Sequence, residues 1–214
     1  MIDEKKIKLW SSVGSRATFG LVSLELVNDN KNLIFITADV STSAGLDRLK
    51  KKFPENYVDV GIGEQNMMSI ASGIASEGFE VVTTTFSPFQ TLRCAEQIKV
   101  NLGYMRNKVI MVGLASGLIL GNLGFSHCSI EDIGVLRSIP NLTIISPSDS
   151  LETAKAIIAS VNHHESVYIR LTGGSNNPIV NQKDYSFEIG KAELLKKGKG
   201  ILIISNGMMV KKSL

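Results

Sequence analysis

Apolar positions along the chain fall into two alternating kinds of stretch. The first kind is short and continuously apolar or β-branched. LIFITADV (Leu33 to Val40), EVVTTTF (Glu80 to Phe86), KVIMVGL (Lys108 to Leu114) and SVYIRL (Ser166 to Leu171) are of this kind. Runs of this length without polar alternation suit strands buried on both faces. Tyr57 to Val60 is a short strand candidate, and LTIISPSD after Asn141 is a strand that ends in a cap. The second kind repeats at helical spacing. Arg16 to Val27 carries Phe19, Leu21, Val22, Leu24, Leu26 and Val27, and Glu64 to Glu77 carries Met67, Met68, Ala71, Ile74 and Ala75. Leu151 to His163 reads as another helix. Pro88 suits the first position of a helix that runs to about Asn101. A Gly-rich loop, Ala115 to His127, precedes a short helix near Ile130 to Ser138.

Strands and helices alternating at these lengths imply βαβ units, and so an α/β fold with three layers, α/β/α, around a mostly parallel sheet. Ligands of such sheets bind beyond the carboxyl ends of the strands. Glu64 follows the Tyr57 strand, and Phe86 and Phe89 follow the Glu80 strand. His127 lies in the loop after the Lys108 strand, and Arg170 ends its own strand. The candidate chemistry therefore gathers at one edge. After Gly174 the composition changes. SNNPIVNQKDYS is polar and turn-rich, and FEIGKAELLKKGKGILIISNG starts afresh with a short strand, a Lys/Gly turn and a buried strand at Gly200 to Ser205. The expected division is a domain at 1–174, a linker at 175–185 and the beginning of an incomplete C-terminal domain at 186–214. A single βα start cannot bury its own faces.

The chain has 214 residues, of which 43% are hydrophobic, enough for one good-sized domain and part of a second. A mean hydropathy of +0.13 argues for a substantial core. The net charge is +3 and the basic residues are scattered, with no Lys/Arg run interleaved with aromatics, so nucleic acid is not the expected partner. Cys94 and Cys128 fit no metal or redox spacing. MIDEKKIKLWSS lacks the apolar region of a signal peptide. No apolar stretch approaches the about 20 residues that span a bilayer. A cytoplasmic protein without membrane contact is expected.

Glu64 stands where Gly-rich VGIG turns into the apolar helix. It is either a helix-capping acid, favourable in a first turn, or a carboxylate that a ligand needs. VGIGEQNM at one helix start, TFSPF at the next, and SHCSIEDIGVLRSIPNLTIISPSD with its His, short helix and strand bear on that choice. In this order they resemble the pyrimidine-binding domain of thiamine diphosphate enzymes, in the transketolase and deoxyxylulose-phosphate synthase family. The resemblance covers roughly Ser15 to Gly174, and ISNGMMV resembles the first strand of the C-terminal domain that follows in those enzymes.

The resemblance implies the thiamine diphosphate-binding fold of the pyrimidine type, and it implies roles. Glu64 would bond N1′ of the aminopyrimidine and drive the 4′-imino form that removes the C2 proton. Phe86 and Phe89 would enclose that ring, whose flat faces gain from aromatic contact. Asp39 would line the cofactor cleft, although it could equally cap a helix at Ser41 or Ser43. His127 would point at the reacting carbonyl or hydroxyls. Arg170 and Arg16 would bind a substrate phosphate, which the guanidinium pairs with bidentately.

Two positions depart from the family pattern. Leu123 stands four residues before His127, where the family carries an aspartate, and LASG (Leu114 to Gly117) replaces a segment that carries a histidine in transketolases. The substrate would then be an atypical or partly deoxygenated sugar, or catalysis would be impaired. The chain also lacks a GDG with a downstream Asn. In the family that motif lies in a separate domain and holds Mg²⁺ and the diphosphate. The resemblance thus implies a partner subunit that carries it, as in split transketolases, with two copies of this chain in an α₂β₂ assembly. The implied reaction is transfer of a two-carbon ketol unit between sugars or sugar phosphates. Rival readings are the β subunit of a 2-oxoacid dehydrogenase, a deoxyxylulose-phosphate synthase-like enzyme, and a truncated, non-catalytic interaction domain. His163 and His164 read as surface residues.

Overall fold

The computed structural model describes residues 2–214. The strands are β1 (Leu33–Thr37), β2 (Tyr57–Asp59), β3 (Glu80–Phe86), β4 (Val109–Leu114), β5 (Leu142–Ile145) and β6 (Ser166–Arg170). They form one sheet in the order β2-β1-β3-β4-β6-β5, and every neighbouring pair is parallel. Helix α1 (Glu4–Asp29) precedes β1; α2 (Ser41–Ala44) and α3 (Asp47–Lys52) join β1 to β2; α4 (Glu64–Ser76) joins β2 to β3. Between β3 and β4 lie α5 (Ser87–Gln90), α6 (Ala95–Gln97) and a π-helical segment, Ile98–Tyr104. Then come α7 (Asp132–Leu136), α8 (Ser150–Val161) and, near the end, α9 (Met209–Ser213). Among the described residues, no helix is long and apolar enough to cross a membrane.

The period-2 geometry of a strand sorts its side chains between two cores. Leu33, Phe35, Val82, Ile110, Val112, Val167 and Ile169 pack beneath α1 and α8, against Phe19, Val22, Ala154 and Ile157. Their alternates Ile34, Ile36, Val81, Val109, Met111 and Tyr168 pack on the other face, against Met67, Met68 and Ala71 of α4 and against Ile98 and Leu102. This is the three-layer α/β/α arrangement that the unbroken apolar runs imply.

Three segments differ from expectation. Helix α1 extends well ahead of Arg16, with a break at Gly14 (φ 84°). A Cβ there would stand 1.9 Å from the Gly174 carbonyl oxygen. Glycine thus lets α1 press against the chain leaving β6, which carries Ser15 and Arg16 to the carboxyl edge of the sheet. The helix expected from Pro88 to Asn101 is interrupted. Pro88 stands in the first turn of α5 as expected, but the α-helix stops at Gln90 and resumes at Ala95. The Thr91 amide (3.0 Å) and Oγ1 (2.7 Å) both donate to the Ser87 carbonyl, but the Arg93 amide then reaches back to the Pro88 carbonyl (3.3 Å) and the Phe89 carbonyl is taken by Cys94 Sγ (3.1 Å).

The tail departs most. Residues 175–185 lie against the domain. Asn176 and Asn177 amides donate to the Ser12 and Ser11 carbonyls, and Val180 and Asn181 amides to Asp149 Oδ2. The strands expected beyond Phe187 and at Gly200 to Ser205 are not formed, and Ile201–Ile204 are 65–87% exposed. A strand needs a hydrogen-bonded neighbour, and this stretch has none among the described residues.

One mid-sheet position is set by space. A Cβ on Gly113 of β4 would stand 2.5 Å from Ser87 Oγ and 2.6 Å from the Tyr168 hydroxyl. Gly113→Ala is therefore expected to lower stability by about 1–3 kcal/mol, a typical overpacking cost. In thermal unfolding, for a chain of this size, the midpoint should fall by roughly 2–12 °C.

Candidate functional site

Glu64 opens α4, directly beyond the end of β2. The loop that delivers it is organised by Asp59, whose Oδ1 accepts from the amides of Asp39 (2.9 Å) and Gly61 (3.1 Å). The Tyr57 hydroxyl donates to Asp59 Oδ2 (3.2 Å) and is also bonded to Thr37 Oγ1 (2.7 Å). Burial pushes the Asp59 carboxyl up, but the two amides and the hydroxyls outweigh it and hold the group below its ordinary value. Gly63 is the N-cap of α4 and no side-chain cap is formed there. Glu64 instead is 4% exposed and accepts a 2.7 Å bond from Arg93 Nη1 on its Oε2. Its partner is thus a cation from another segment, not its own helix.

Arg93 sits in the break between α5 and α6, with 42% of its side chain exposed. Its guanidinium carbon lies over the Phe89 ring, 4.0 Å from the centroid. Phe89 meets Phe86 edge-to-face at 6.4 Å, and the His127 ring completes the cluster at 5.2 Å from Phe89 and 5.9 Å from Phe86. Four expected site residues, Glu64, Phe86, Phe89 and His127, are therefore contiguous, with Arg93 as the link. Cys94 beside them is buried, and that burial, with the Glu64 charge added, pushes its thiol up to about 12 despite Arg93. It is not a nucleophile at neutral pH.

Arg170, at the end of β6, donates from Nε to Asp132 Oδ2 (2.7 Å) and from Nη2 to the Ser129 carbonyl (3.3 Å). Asp132 is wholly buried, and its Oδ2 also accepts from the Tyr168 hydroxyl (3.0 Å). That hydroxyl bonds Ser87 Oγ (2.7 Å), which bonds Ser116 Oγ in turn. Burial, with the Asp132 charge added, raises the Tyr168 phenol, which stays protonated and able to donate. The chain of groups ties the start of α5, the loop after β4 and the end of β6 together under the aromatic cluster. Ser129 pairs with Gly117 in both directions (2.8 and 2.9 Å), so Arg170 also fixes the base of the loop bearing His127. At the tip of that loop Leu118, Leu123 and Phe125 are exposed.

Two other expected site residues make no side-chain bond to these groups. Asp39 is exposed, in the left-handed region at φ 57°, and it caps neither serine: the N-cap of α2 is Val40, without a side-chain bond. Arg16 is half-buried and forms no ion pair among the described residues; its neighbour Ser15 shares a small cleft with Arg170, Gly173 and Asn177. His163 and His164 follow α8 at the opposite edge of the sheet, and His164 is exposed. Arg93, Asp132 and Tyr168 are functional candidates that the sequence did not single out. For Arg93 a signal was present, since it stands four residues after Phe89. For the other two it was the IEDIGVLR block and the aromatic in the last strand.

A family model described as the transketolase pyrimidine binding domain matches residues 11–177. The chain is 33% identical over 198 residues to one of the subunits of the apulose-4-phosphate transketolase of Phocaeicola vulgatus, covering 92% of this chain and 64% of that protein. It is 34% identical over 202 residues to the putative transketolase C-terminal section of Methanocaldococcus jannaschii, covering 94% and 64%. The chain thus spans 64% of the length of these two curated relatives. Among solved structures, one described as a split gene transketolase, inactive beta4 tetramer, superposes with a TM-score of 0.85 at 32% identity, covering 94% of this chain and 65% of that one. On that match over most of its length, the chain belongs to the transketolase pyrimidine-binding domain family.

Proposed function

We propose that the chain is the pyrimidine-binding, C-terminal-type subunit of a thiamine diphosphate-dependent transketolase built from two kinds of chain. The observation that carries this reading is Glu64, a buried carboxylate joined through Arg93 to an aromatic cluster at the carboxyl edge of the sheet. The donor set fits an aminopyrimidine. A flat group that donates N–H bonds needs a carboxylate and a ring face, and Arg93 already draws on both.

Thiamine diphosphate, when bound, supplies the nucleophilic carbon for transfer of a two-carbon ketol unit between sugars or sugar phosphates. The residues of this chain prepare it. Glu64, buried at 4% exposure, shares a proton with N1′. Phe86 and Phe89 cover the faces of the ring, and Asp39 lines the cleft. His127, held against both phenylalanines, faces the reacting oxygens. Arg170 and Arg16 bind the phosphate end of the substrate. Leu123, in place of an acid, favours an atypical or partly deoxygenated sugar.

The diphosphate and its Mg²⁺ fall to a partner subunit with the N-terminal type of domain, in an α₂β₂ assembly containing a homodimer of this chain. The names of the relatives, one a transketolase subunit and the other a C-terminal section, support a two-chain arrangement, as does the split-gene structure. Residues 1–174 form the pyrimidine domain, 175–185 the linker and 186–214 the beginning of a C-terminal domain. The proposed compartment is the cytoplasm, which suits the two unpaired cysteines.

Two measurements on the reconstituted complex test the reading. Glu64→Gln is expected to lower kcat by roughly 10²–10⁴-fold, the usual range for a proton-transfer group. Retention of full turnover overturns the role given to Glu64. Arg170→Lys keeps a cation beside Asp132 but loses the planar fork. It should raise KM for a phosphorylated acceptor by roughly ten-fold more than for an unphosphorylated one. Equal effects on both acceptors would remove Arg170 from phosphate binding.

A further inference from the structure

The Glu64–Arg93 pair is poorly explained by stability. A buried ion pair is often no better than well-packed apolar residues, and Arg93 is exposed enough to pair in solvent instead. Its guanidinium nonetheless makes two contacts at once, 2.7 Å from Glu64 Oε2 and over the face of Phe89 at 4.0 Å. These are the contacts that the proposed function asks of an aminopyrimidine ring. A guanidinium is itself planar, cationic and rich in N–H donors, so it imitates such a ring when protonated. Arg93 takes Glu64 Oε2 and the face of Phe89 beside it, so a ring seated on that same oxygen and that same face has to compete with the guanidinium.

We infer that Arg93 is a built-in occupant of the pyrimidine slot, which the cofactor ring must displace, and that it thereby sets the affinity for the cofactor. This inference rests on the proposed function above. The surroundings let Arg93 leave. It stands in the turn between α5 and α6, not within a helix, and its side chain reaches solvent. The neighbouring thiol does not take its place, because Cys94 is already bonded to the Phe89 carbonyl. Departure also prepares Glu64. A buried carboxylate without a partner is costly, so the form that shares a proton with a ring nitrogen gains. Displacement and loading of the proton then become one event, with Arg93 as the positioning residue.

The test uses the whole chain and 4-amino-5-hydroxymethyl-2-methylpyrimidine, the ring alone, as probe. Binding is measured by calorimetry for the native chain, Arg93→Met, Arg93→Gln, Glu64→Ala and Phe89→Ala. Both Arg93 variants are expected to bind the probe roughly ten-fold more tightly, since a charge-assisted bond and a cation–π contact no longer compete. In the native chain, saturating probe should shift the Arg93 guanidinium ¹⁵N resonances to solvent-exchanging values, a readout that needs no variant to fold. If the native chain binds the probe through Glu64 and Phe89 while the Arg93 variants bind no better, or the resonances do not move, the inference fails and the proposed function stands. If no form binds the probe, the inference fails, and the proposed function is decided separately by the turnover of the reconstituted complex.

Discussion

All six strands run in the same direction, and the rest of the molecule follows from that constraint. In a parallel sheet each strand must be re-entered from the same end, so every connection that leaves the carboxyl edge begins there. The segments carrying Glu64, Phe89, His127 and Arg170 are far apart in sequence but start from that edge at β2, β3, β4 and β6. The edge is also firm. Leu33, Phe35, Ile36, Ile110, Met111 and Val112 are wholly buried between two helical layers, which leaves the strands little freedom to shift. A site assembled from loops is well placed only when the elements beneath it are rigid.

Two ion pairs then divide the labour at that edge. Asp132 is sealed, at 0% exposure, Arg170 keeps only 15%, and its Nε shares Asp132 Oδ2 with the Tyr168 hydroxyl. Breaking such a pair leaves a buried charge uncompensated and is costly, so this pair acts as a clamp holding the end of β6, α7 and the loop base in one arrangement. Glu64 is as deeply buried, but its cation reaches solvent. The same chemistry is fixed in one place and openable in the other, and the difference lies in what surrounds the arginine. Arg170 lies between strand end and loop, whereas Arg93 projects from a break between two short helices.

The sheet was legible because burial on both faces writes unbroken apolar runs. EVVTTTF matches β3 residue for residue, and LIFITADV and KVIMVGL overshoot theirs only at the ends. The break in the helix after Pro88 was not legible, because Cys94 Sγ takes up the Phe89 carbonyl locally, a competition that apolar spacing does not record. The GILIIS stretch has the composition of a strand, but a strand is a relation between two segments, and composition does not supply the second. In the site, Glu64, Phe86, Phe89 and His127 could be named because their types and order form a pattern. Arg93 was missed because its contact with Glu64 depends on the helix break. Asp132 and Tyr168 were missed because a buried acid and a buried phenol acquire meaning only when the fold brings them to one oxygen.

The loop after β4 joins these threads. Its base is fixed by the Gly117–Ser129 pairing and by Arg170, and His127 near its end is held against two phenylalanines. Its tip turns Leu118 and Phe125 outward, 71% and 84% exposed, with Leu123 between them. Each apolar side chain left in water forgoes about 1.5–3 kcal/mol of burial, and contiguous exposed apolar groups mark surfaces that meet another molecule. Fixing the base separates the two ends of the loop energetically. Contacts made at the tip need not move His127, because Ser129, Gly117 and the aromatic cluster already hold it. In the proposed two-chain enzyme, this chain would bring its acid and its ring-binding faces to the interface already in register. The partner would complete the site without having to build it.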